Sequence, residues 1–148
     1  MQVNRAASMI VESVQADASV RDTAALMKST NVGLLLVAKG TELVGVVTDR
    51  DIVIRAVAIG ECVCKSKVGD IMSSPVVVIR DNASLVEAAD FMAKKQVRRL
   101  VVTNMQSIPI GVLSIDDIAF HTHGDETAGQ VLEEIAHGPD NFALFRGA

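Results

Sequence analysis

One pattern occurs twice in this chain, and the repeat restricts the possible folds more than any other feature of the sequence. Residues 45–52 read GVVTDRDI and residues 111–118 read GVLSIDDI. In both, a glycine, two apolar residues, a hydroxyl residue, an aspartate and an isoleucine stand at the same spacing. Upstream, residues 17–27 match residues 82–92 in the same order. A period of about 65 residues that occurs only twice indicates a tandem duplication and not a solenoid array.

Each copy predicts the order strand, helix, strand, hairpin, strand and helix, which gives an α/β (α+β) fold of two β-α-β-β-α repeats. Ser19 and Ser84 stand three residues before an acidic residue, which is the spacing of a capping box. Apolar periodicity typical of a helix follows each serine. Continuous β-type runs at 33–38 and 98–103 predict strands that are buried on both faces.

The repeat also predicts where the chain divides. We assign residues 1–63 to the first repeat, residues 64–124 to the second and residues 125–148 to a tail. The last helix of the first repeat is predicted over about 49–59. In the tail, residues 125–136 predict a short amphipathic helix that ends before a Gly-Pro pair.

The composition argues against nucleic acid and the membrane as partners. The 148 residues carry a formal net charge of −4, with no Trp or Tyr. Binding to a phosphate backbone requires a basic face, and binding to single strands requires aromatic stacking platforms. No apolar run approaches the roughly 20 residues that span a bilayer. Two cysteines without an export signal predict a cytoplasmic, reducing location.

Two hydroxyl–aspartate pairs, Thr48 with Asp51 and Ser114 with Asp117, lie where a predicted strand leads into a helix. The spacing is that of a capping box, in which the hydroxyl and the carboxylate both bind backbone N–H groups. The same location suits a nucleoside phosphate, because a helix N-terminus favours phosphate and ligands collect beyond the carboxyl ends of strands. The carboxylate would then accept two hydrogen bonds from the ribose diol. The residues alone leave both interpretations open.

Metal binding and catalysis have weaker support. Cys62, Cys64, His121 and His123 are of the types that bind tetrahedral zinc, but C-x-C and H-x-H are not the usual spacings of a zinc finger. A metal site is therefore an alternative, and the main prediction is that no metal and no cofactor are required. Motifs of serine hydrolases, zinc proteases and P-loop NTPases are absent from the sequence, so we expect no enzymatic activity.

The repeated stretches, residues 45–51 and 111–117, resemble the ligand motif of cystathionine-β-synthase (CBS) domains. Residues 68–76 and 96–102 resemble other hallmarks of this family. The resemblance covers about residues 2–122, in order and at family spacing. It implies a tandem CBS pair, also called a Bateman module, in which two repeats pack around a pseudo-twofold axis with two clefts between them.

The resemblance implies that the chain binds an adenine nucleotide (AMP, ADP or ATP) or S-adenosylmethionine. Asp51 and Asp117 would hold ribose hydroxyls, while Thr48 and Ser114 would meet phosphate or ribose. The other implied contacts are two arginines on the phosphate, which offer bidentate forks, and two backbone segments beside the adenine. These are Arg98, Arg99, Ile10, Val11, Pro75 and Val76.

The two repeats also depart from each other within the resemblance. Gly33 stands where the second repeat has Arg98, and residues 6–10 differ from residues 71–75, so the two clefts are not expected to be equivalent. The family further implies a homodimer with a regulatory role, in which a nucleotide shifts the conformational population and a separate effector protein reads the change. A metal-binding CBS pair and a ligand-free structural or adaptor dimer are the alternatives.

Overall fold

The computed structural model describes residues 1–9, 11–122 and 127–136. The chain divides into two compact units. The first-repeat unit is Val11–Val76, and the second-repeat unit combines Met1–Ile10 with Val77–Ala148. The bounds of these units differ from the bounds of the predicted repeats. The predicted bounds describe where the duplicated sequence begins and ends, and they stay a prediction. The first ten residues therefore pack with the second repeat and not with the repeat that they precede.

The first-repeat unit contains a three-stranded sheet with the order β1-β2-β3. Strand β1 is parallel to β2, and β2 is antiparallel to β3. Its elements are β1 (Ser13–Gln15), α1 (Val20–Thr30), β2 (Leu34–Lys39), β3 (Glu42–Thr48), α2 (Asp49–Ile52), one π-helical turn (Val53–Val57) and α3 (Val68–Ile71).

The second-repeat unit contains the corresponding sheet, with the order β4-β5-β6 and the same parallel and antiparallel pairing. Both units have three α-helices among the described residues, and in the second-repeat unit α6 packs against α4 and α5. Its elements are a 3-10 turn (Val3–Arg5), β4 (Val78–Arg80), α4 (Leu85–Lys95), β5 (Arg99–Thr103), β6 (Pro109–Ser114), α5 (Ile115–His121) and α6 (Thr127–Ala136).

The structure confirms the mixed α/β fold with two sheets and the predicted order of elements. The Ser19 hydroxyl accepts a hydrogen bond from the Asp22 N–H, and Ser84 forms a full capping box with Glu87. The predicted helix over 49–59 is shorter, because it changes to π-helical geometry at Val53 and ends at Val57. The predicted tail helix is confirmed for residues 127–136, and residues 125–126 lie outside the described part of the chain.

The central strand of each sheet is buried on both faces, as predicted, because successive residues point to opposite faces and are all buried over 35–37 in β2 and 100–103 in β5. In the first-repeat unit, Leu35 and Val47 from the sheet pack with Ile52. In the second-repeat unit, Leu100 and Ile118 share a core with Val131 of α6, which is 4% exposed. None of the helices in the described residues is long and apolar enough to cross a membrane.

Candidate functional site

The two hydroxyl–aspartate pairs lie where β3 leads into α2 and where β6 leads into α5. The Thr48 N–H donates to Asp51 Oδ2 (3.0 Å), and the Asp51 N–H donates to Thr48 Oγ1 (3.1 Å). Ser114 and Asp117 form the same reciprocal pair, with distances of 2.7 Å and 3.2 Å. The capping interpretation is therefore confirmed at both junctions. Capping uses only part of each carboxylate, so what surrounds the remaining oxygen decides what else each aspartate binds.

The glycine that precedes each pair allows a second chain segment to pass close to the strand. We call this the crossing segment: it contains residues 71–73 at β3, and it contains Ser8 at β6. Ser73 pairs with Val46 through two backbone hydrogen bonds, and Ser8 pairs with Val112 in the same way. A Cβ added at Gly45 would lie 2.9 Å from the Ser73 carbonyl oxygen. At Gly111 the corresponding distance to the Ser8 carbonyl oxygen would be 2.6 Å. The repeated glycine is thus explained by close backbone approach.

In the first-repeat unit, the carboxylate of Asp51 is surrounded by protein groups. Asp51 is only 9% exposed. The Ser73 hydroxyl lies 3.3 Å from both carboxylate oxygens as a donor, and Arg55 Nε lies 3.8 Å from Oδ1. Arg55 Nη1 also donates to the backbone carbonyls of Ile71 (3.1 Å) and Met72 (3.0 Å). One side chain thus joins the carboxylate to the crossing segment.

In the second-repeat unit, Asp117 is half-buried and has fewer partners. The Ser114 hydroxyl donates to Asp117 Oδ2 (2.7 Å), the same oxygen that accepts the Ser114 N–H. Within the described residues, Asp117 Oδ1 accepts no hydrogen bond. Since no buried side-chain oxygen of the described residues lacks a partner, Oδ1 is open to solvent.

Two arginines lie beside Ser114. Arg99 is its partner in the β5–β6 register, and residues directly opposite in an antiparallel pair project to the same face of the sheet. The backbone carbonyl of Arg98 accepts the N–H of Ile115, which places Arg98 next to the start of α5. Arg98 is exposed and Arg99 is half-buried, and neither side chain has a hydrogen-bond partner among the described residues. In the first-repeat unit, the corresponding positions are held by Gly33 and Leu34, which carry no charge.

Three of the four residues predicted to flank adenine belong to the first-repeat unit. Val11 and Val76 are half-buried and Pro75 is exposed, and the two valines are the terminal residues of that unit. Ile10 lies outside the described residues.

The predicted alternative metal ligands do not form a group in the part of the chain that the structure describes. Cys62 and Cys64 are both exposed, and Cys64 Sγ accepts a contact of 3.8 Å from Arg21 Nη1. His121 ends α5 with its ring edge against Phe120, and His123 lies outside the described residues. Over residues 1–9, 11–122 and 127–136, no group of three or more His, Cys, Asp or Glu side chains lies close enough together to hold a metal ion.

Sequence reasoning missed Arg55 and Ser73. Arg55 follows Asp51 by four residues, a spacing at which side chains on one helix meet, so the sequence carried a signal for this ion pair. Ser73 is 22 residues from Asp51 in sequence and reaches it only because its segment crosses β3. Nothing local in the sequence indicates that contact.

Comparison with known proteins agrees with this architecture. The family model for the CBS domain matches residues 8–57 and 68–124. The CBS domain-containing protein YhcV of Bacillus subtilis is 34% identical over 127 residues, which cover 86% of this chain and 89% of YhcV.

Two similar solved structures are also CBS proteins. The hexameric CBS-CP12 protein from bloom-forming cyanobacteria is 26% identical, with a TM-score of 0.76, and the match covers 99% of this chain and 88% of that one. The structure of CBSX2 in complex with AMP is 25% identical, with a TM-score of 0.67, and the match covers 82% of this chain and 95% of that one. The repeat, the two sheets and these matches together show that the chain belongs to the CBS domain family and contains two CBS domains in tandem.

Proposed function

We propose that this chain is a non-catalytic regulatory protein that binds an adenine nucleotide at its hydroxyl–aspartate pairs. Two independent facts support the proposal. The chain belongs to the CBS family, in which the similar protein CBSX2 forms a complex with AMP. In addition, both repeats keep a hydroxyl and a carboxylate where a sheet strand leads into a helix.

The observation that carries the proposal is the open oxygen of Asp117 at a junction where Arg99 lies opposite Ser114 and Arg98 lies next to the start of α5. A carboxylate with a free oxygen accepts hydrogen bonds from the vicinal diol of ribose. A guanidinium donates two parallel hydrogen bonds to a phosphate group, and Arg98 and Arg99 have no competing side-chain partner among the described residues. We assign ribose to Asp117, with Asp51 as its counterpart in the other repeat, and phosphate to Arg98 or Arg99 with the hydroxyls of Ser114 and Thr48. The backbone near Ile10, Val11, Pro75 and Val76 is assigned to the adenine.

The regulatory mechanism that fits this binding is a population shift. A nucleotide changes the balance of two conformations only if it binds one of them more tightly. We propose that a separate effector protein recognises the favoured conformation and that the chain acts as a homodimer. Self-association is supported by the CBS-CP12 protein, which forms a hexamer, and by exposed apolar residues on the π-helical turn and just after it, including Val53, Val57 and Ile59.

Isothermal titration with AMP, ADP, ATP and S-adenosylmethionine tests the binding. We expect at least one of the four to bind, and Asp117→Asn to weaken that binding at least tenfold. Asp116→Asn is the matched control, because Asp116 is an exposed carboxylate in the first turn of the same helix. A ligand at 100 times its dissociation constant would add about 2.7 kcal/mol to the free energy of unfolding. Absence of binding by all four ligands at millimolar concentration would overturn the proposal.

Light scattering on the purified chain, with and without the nucleotide that binds, tests the assembly. A dimer mass is expected in both conditions. A monomer at concentrations well above those in the titration would contradict the proposed homodimer and leave the binding proposal intact.

A further inference from the structure

The two junctions differ in how many carboxylate lone pairs the protein itself uses. At Asp51, both oxygens are engaged: Oδ2 accepts the Thr48 N–H, the Ser73 hydroxyl lies 3.3 Å from each oxygen, and Arg55 pairs with Oδ1. At Asp117, all contacts from described residues converge on Oδ2. A ribose diol that binds Asp51 therefore has to displace protein donors, whereas one that binds Asp117 replaces only solvent at Oδ1.

The side-chain contacts that Arg55 and Ser73 make with Asp51 have no equivalent among the described residues of the other repeat. Arg55 corresponds to His121, which stands 66 residues later and contacts the ring of Phe120. Ser73 corresponds to Ser8, which makes the same backbone pairing across a strand but no side-chain hydrogen bond to Asp117. The duplication thus supplies an internal control, since the matched junctions differ in residue type at Arg55 and His121 and in side-chain contact at Ser73 and Ser8.

Arg55 also holds the chain that crosses β3. Its Nη1 donates to the carbonyls of Ile71 and Met72, so the same guanidinium fixes both the carboxylate and the crossing segment. Ser73 adds a third link between this segment and Asp51. Because these contacts share two side chains and one short stretch of backbone, movement of Arg55 away from Asp51 would disturb the others as well.

We propose that Arg55 and Ser73 act as an intramolecular competitor for the ribose site of the first repeat. The nucleotide then binds first and tightly at Asp117, and it binds at Asp51 only when Arg55 and Ser73 release the carboxylate. Arg55 is in this sense an affinity-determining residue, because it sets how far apart the two dissociation constants lie. The proposal rests on the proposed function, in which the aspartates hold ribose.

Because release of Asp51 also frees the carbonyls of Ile71 and Met72, occupancy of the second site is coupled to residues 71–73. These residues lie at the end of the first-repeat unit, shortly before the chain enters the second-repeat unit at Val77. Hydrogen exchange of the Ser73 N–H, which donates to Val46, reports this coupling directly. It should quicken only at AMP concentrations that fill the weaker site.

Titration of the full chain with AMP, by calorimetry and by equilibrium dialysis, tests the proposal. We expect one tight site per chain and a second site that is at least tenfold weaker. Asp117→Asn should remove the tight site and keep the weak one. The double variant Arg55→His/Ser73→Ala, which gives the first repeat the histidine of the second and removes the competing hydroxyl, should strengthen the weak site about tenfold. The reciprocal change His121→Arg, four residues after Asp117, should weaken the tight site.

Arg50→Ala is the matched control, because Arg50 is an exposed arginine next to Asp51 in α2 whose side chain forms no ion pair with the Asp51 carboxylate. It should leave both dissociation constants unchanged. Thermal unfolding and the retained tight site show that the double variant is folded. Two sites of equal affinity in the wild type, or a weak site that the double variant does not strengthen, would overturn this inference and leave the proposed function intact. Absence of AMP binding by the wild type overturns the inference, and it overturns the proposed function only if the other three ligands also fail.

Discussion

The two strand-to-helix junctions contain the same hydroxyl–aspartate pair, but the protein treats the two carboxylates differently. Asp51 is 9% exposed and bonded to its own chain on both oxygens, whereas Asp117 is half-buried with one oxygen open. The caps themselves are nearly identical in geometry. A motif that is read from local sequence therefore predicts the cap well, and it predicts ligand access only together with residues that reach the motif from elsewhere.

The two units also differ in whether a further helix covers their helical layer. Over the described residues, α4 and α5 are covered by α6, whereas the first-repeat unit has no helix in that position and exposes Val53, Val57 and Ile59. The second-repeat unit thus has a covered helical face and an open carboxylate, and the first-repeat unit has the reverse.

The largest predicted effect tests the helical layer. Val131→Asp should lower the free energy of unfolding of the second-repeat unit by about 3 kcal/mol, because α6 would undock rather than bury a carboxylate and its apolar burial would be lost. Hydrogen exchange of the amides in α4 and α5 measures the loss, and amides of β1 to β3 should be unchanged. Leu132→Asp is the control, since Leu132 is 38% exposed and its replacement should change stability by less than about 0.5 kcal/mol. An effect of Val131→Asp as small as that of Leu132→Asp would show that α6 does not stabilise the unit.

The next effect compares the two carboxylates without ligand. Asp117→Ala should cost about 1 kcal/mol as a lost cap, and Asp51→Ala about 2 kcal/mol because it also removes the acceptor of the Ser73 hydroxyl and the ion-pair partner of Arg55. Urea denaturation in the absence of nucleotide measures both. Asp116→Ala, which removes an exposed carboxylate next to Asp117, should have little effect. If both aspartates cost the same, the contacts around Asp51 contribute nothing to stability.

Much of the fold was predictable because its signals are local. The period of the repeat indicated two similar units, Ser19 and Ser84 marked the starts of α1 and α4, and Thr48 and Ser114 marked the junctions. The capping signals depend on residues within four positions of each other, and the repeat is recognised because each copy carries the same short patterns.

The rest depends on contacts that are distant in sequence. The first ten residues pack with the second repeat, and Ser73 reaches Asp51 across 22 residues because its segment crosses β3 at Gly45. Gly45 is part of the repeated pattern, but the need for a glycine comes from the Ser73 backbone, which passes close to it. Contacts of this kind follow from tertiary packing, and neither periodicity nor capping patterns contain them.

A smaller effect concerns the close approach of Ser73 to Gly45 and of Ser8 to Gly111, and it tests whether each approach is energetically coupled to the nearby aspartate. Gly45→Ala and Gly111→Ala should each cost about 1–2 kcal/mol, because the new Cβ would lie too close to the carbonyl oxygen of Ser73 or Ser8. In the first-repeat unit the displaced segment contains Ser73, so Gly45→Ala and Asp51→Ala should be non-additive by about 0.5–1 kcal/mol. Gly111→Ala and Asp117→Ala should add, because Ser8 does not bond to Asp117. A double-mutant cycle in urea measures both couplings, and similar values in the two units would contradict the difference between the junctions.

The smallest effect compares the first helices of the two repeats, α1 and α4. The Ser84 N–H donates to the Glu87 carboxylate (2.7 Å), and this hydrogen bond, with that of the Ser84 hydroxyl, lowers the pKa of Glu87 below its ordinary 4.5. In α1 the corresponding hydrogen bond from the Ser19 N–H to Asp22 is absent. Because the folded-state pKa is the lower one, the contribution of Glu87 is fully present above the unfolded pKa and is lost as the pH falls through the folded value.

Glu87→Gln should therefore reduce stability slightly at neutral pH and have no further effect once the pH is below both pKa values of Glu87. Thermal unfolding followed across acidic pH compares the variant with the wild type, and Asp22→Asn is the matched change in α1. The Glu87 side chain is fully exposed, so solvent screens the interaction and the effect should be the smallest of the series. A difference between Glu87→Gln and the wild type that persists unchanged below the folded pKa would mean that the variant acts through helix propensity. The two helices would then begin in physically equivalent ways, and the contrast between the units would lie in the surroundings of the aspartates and in α6.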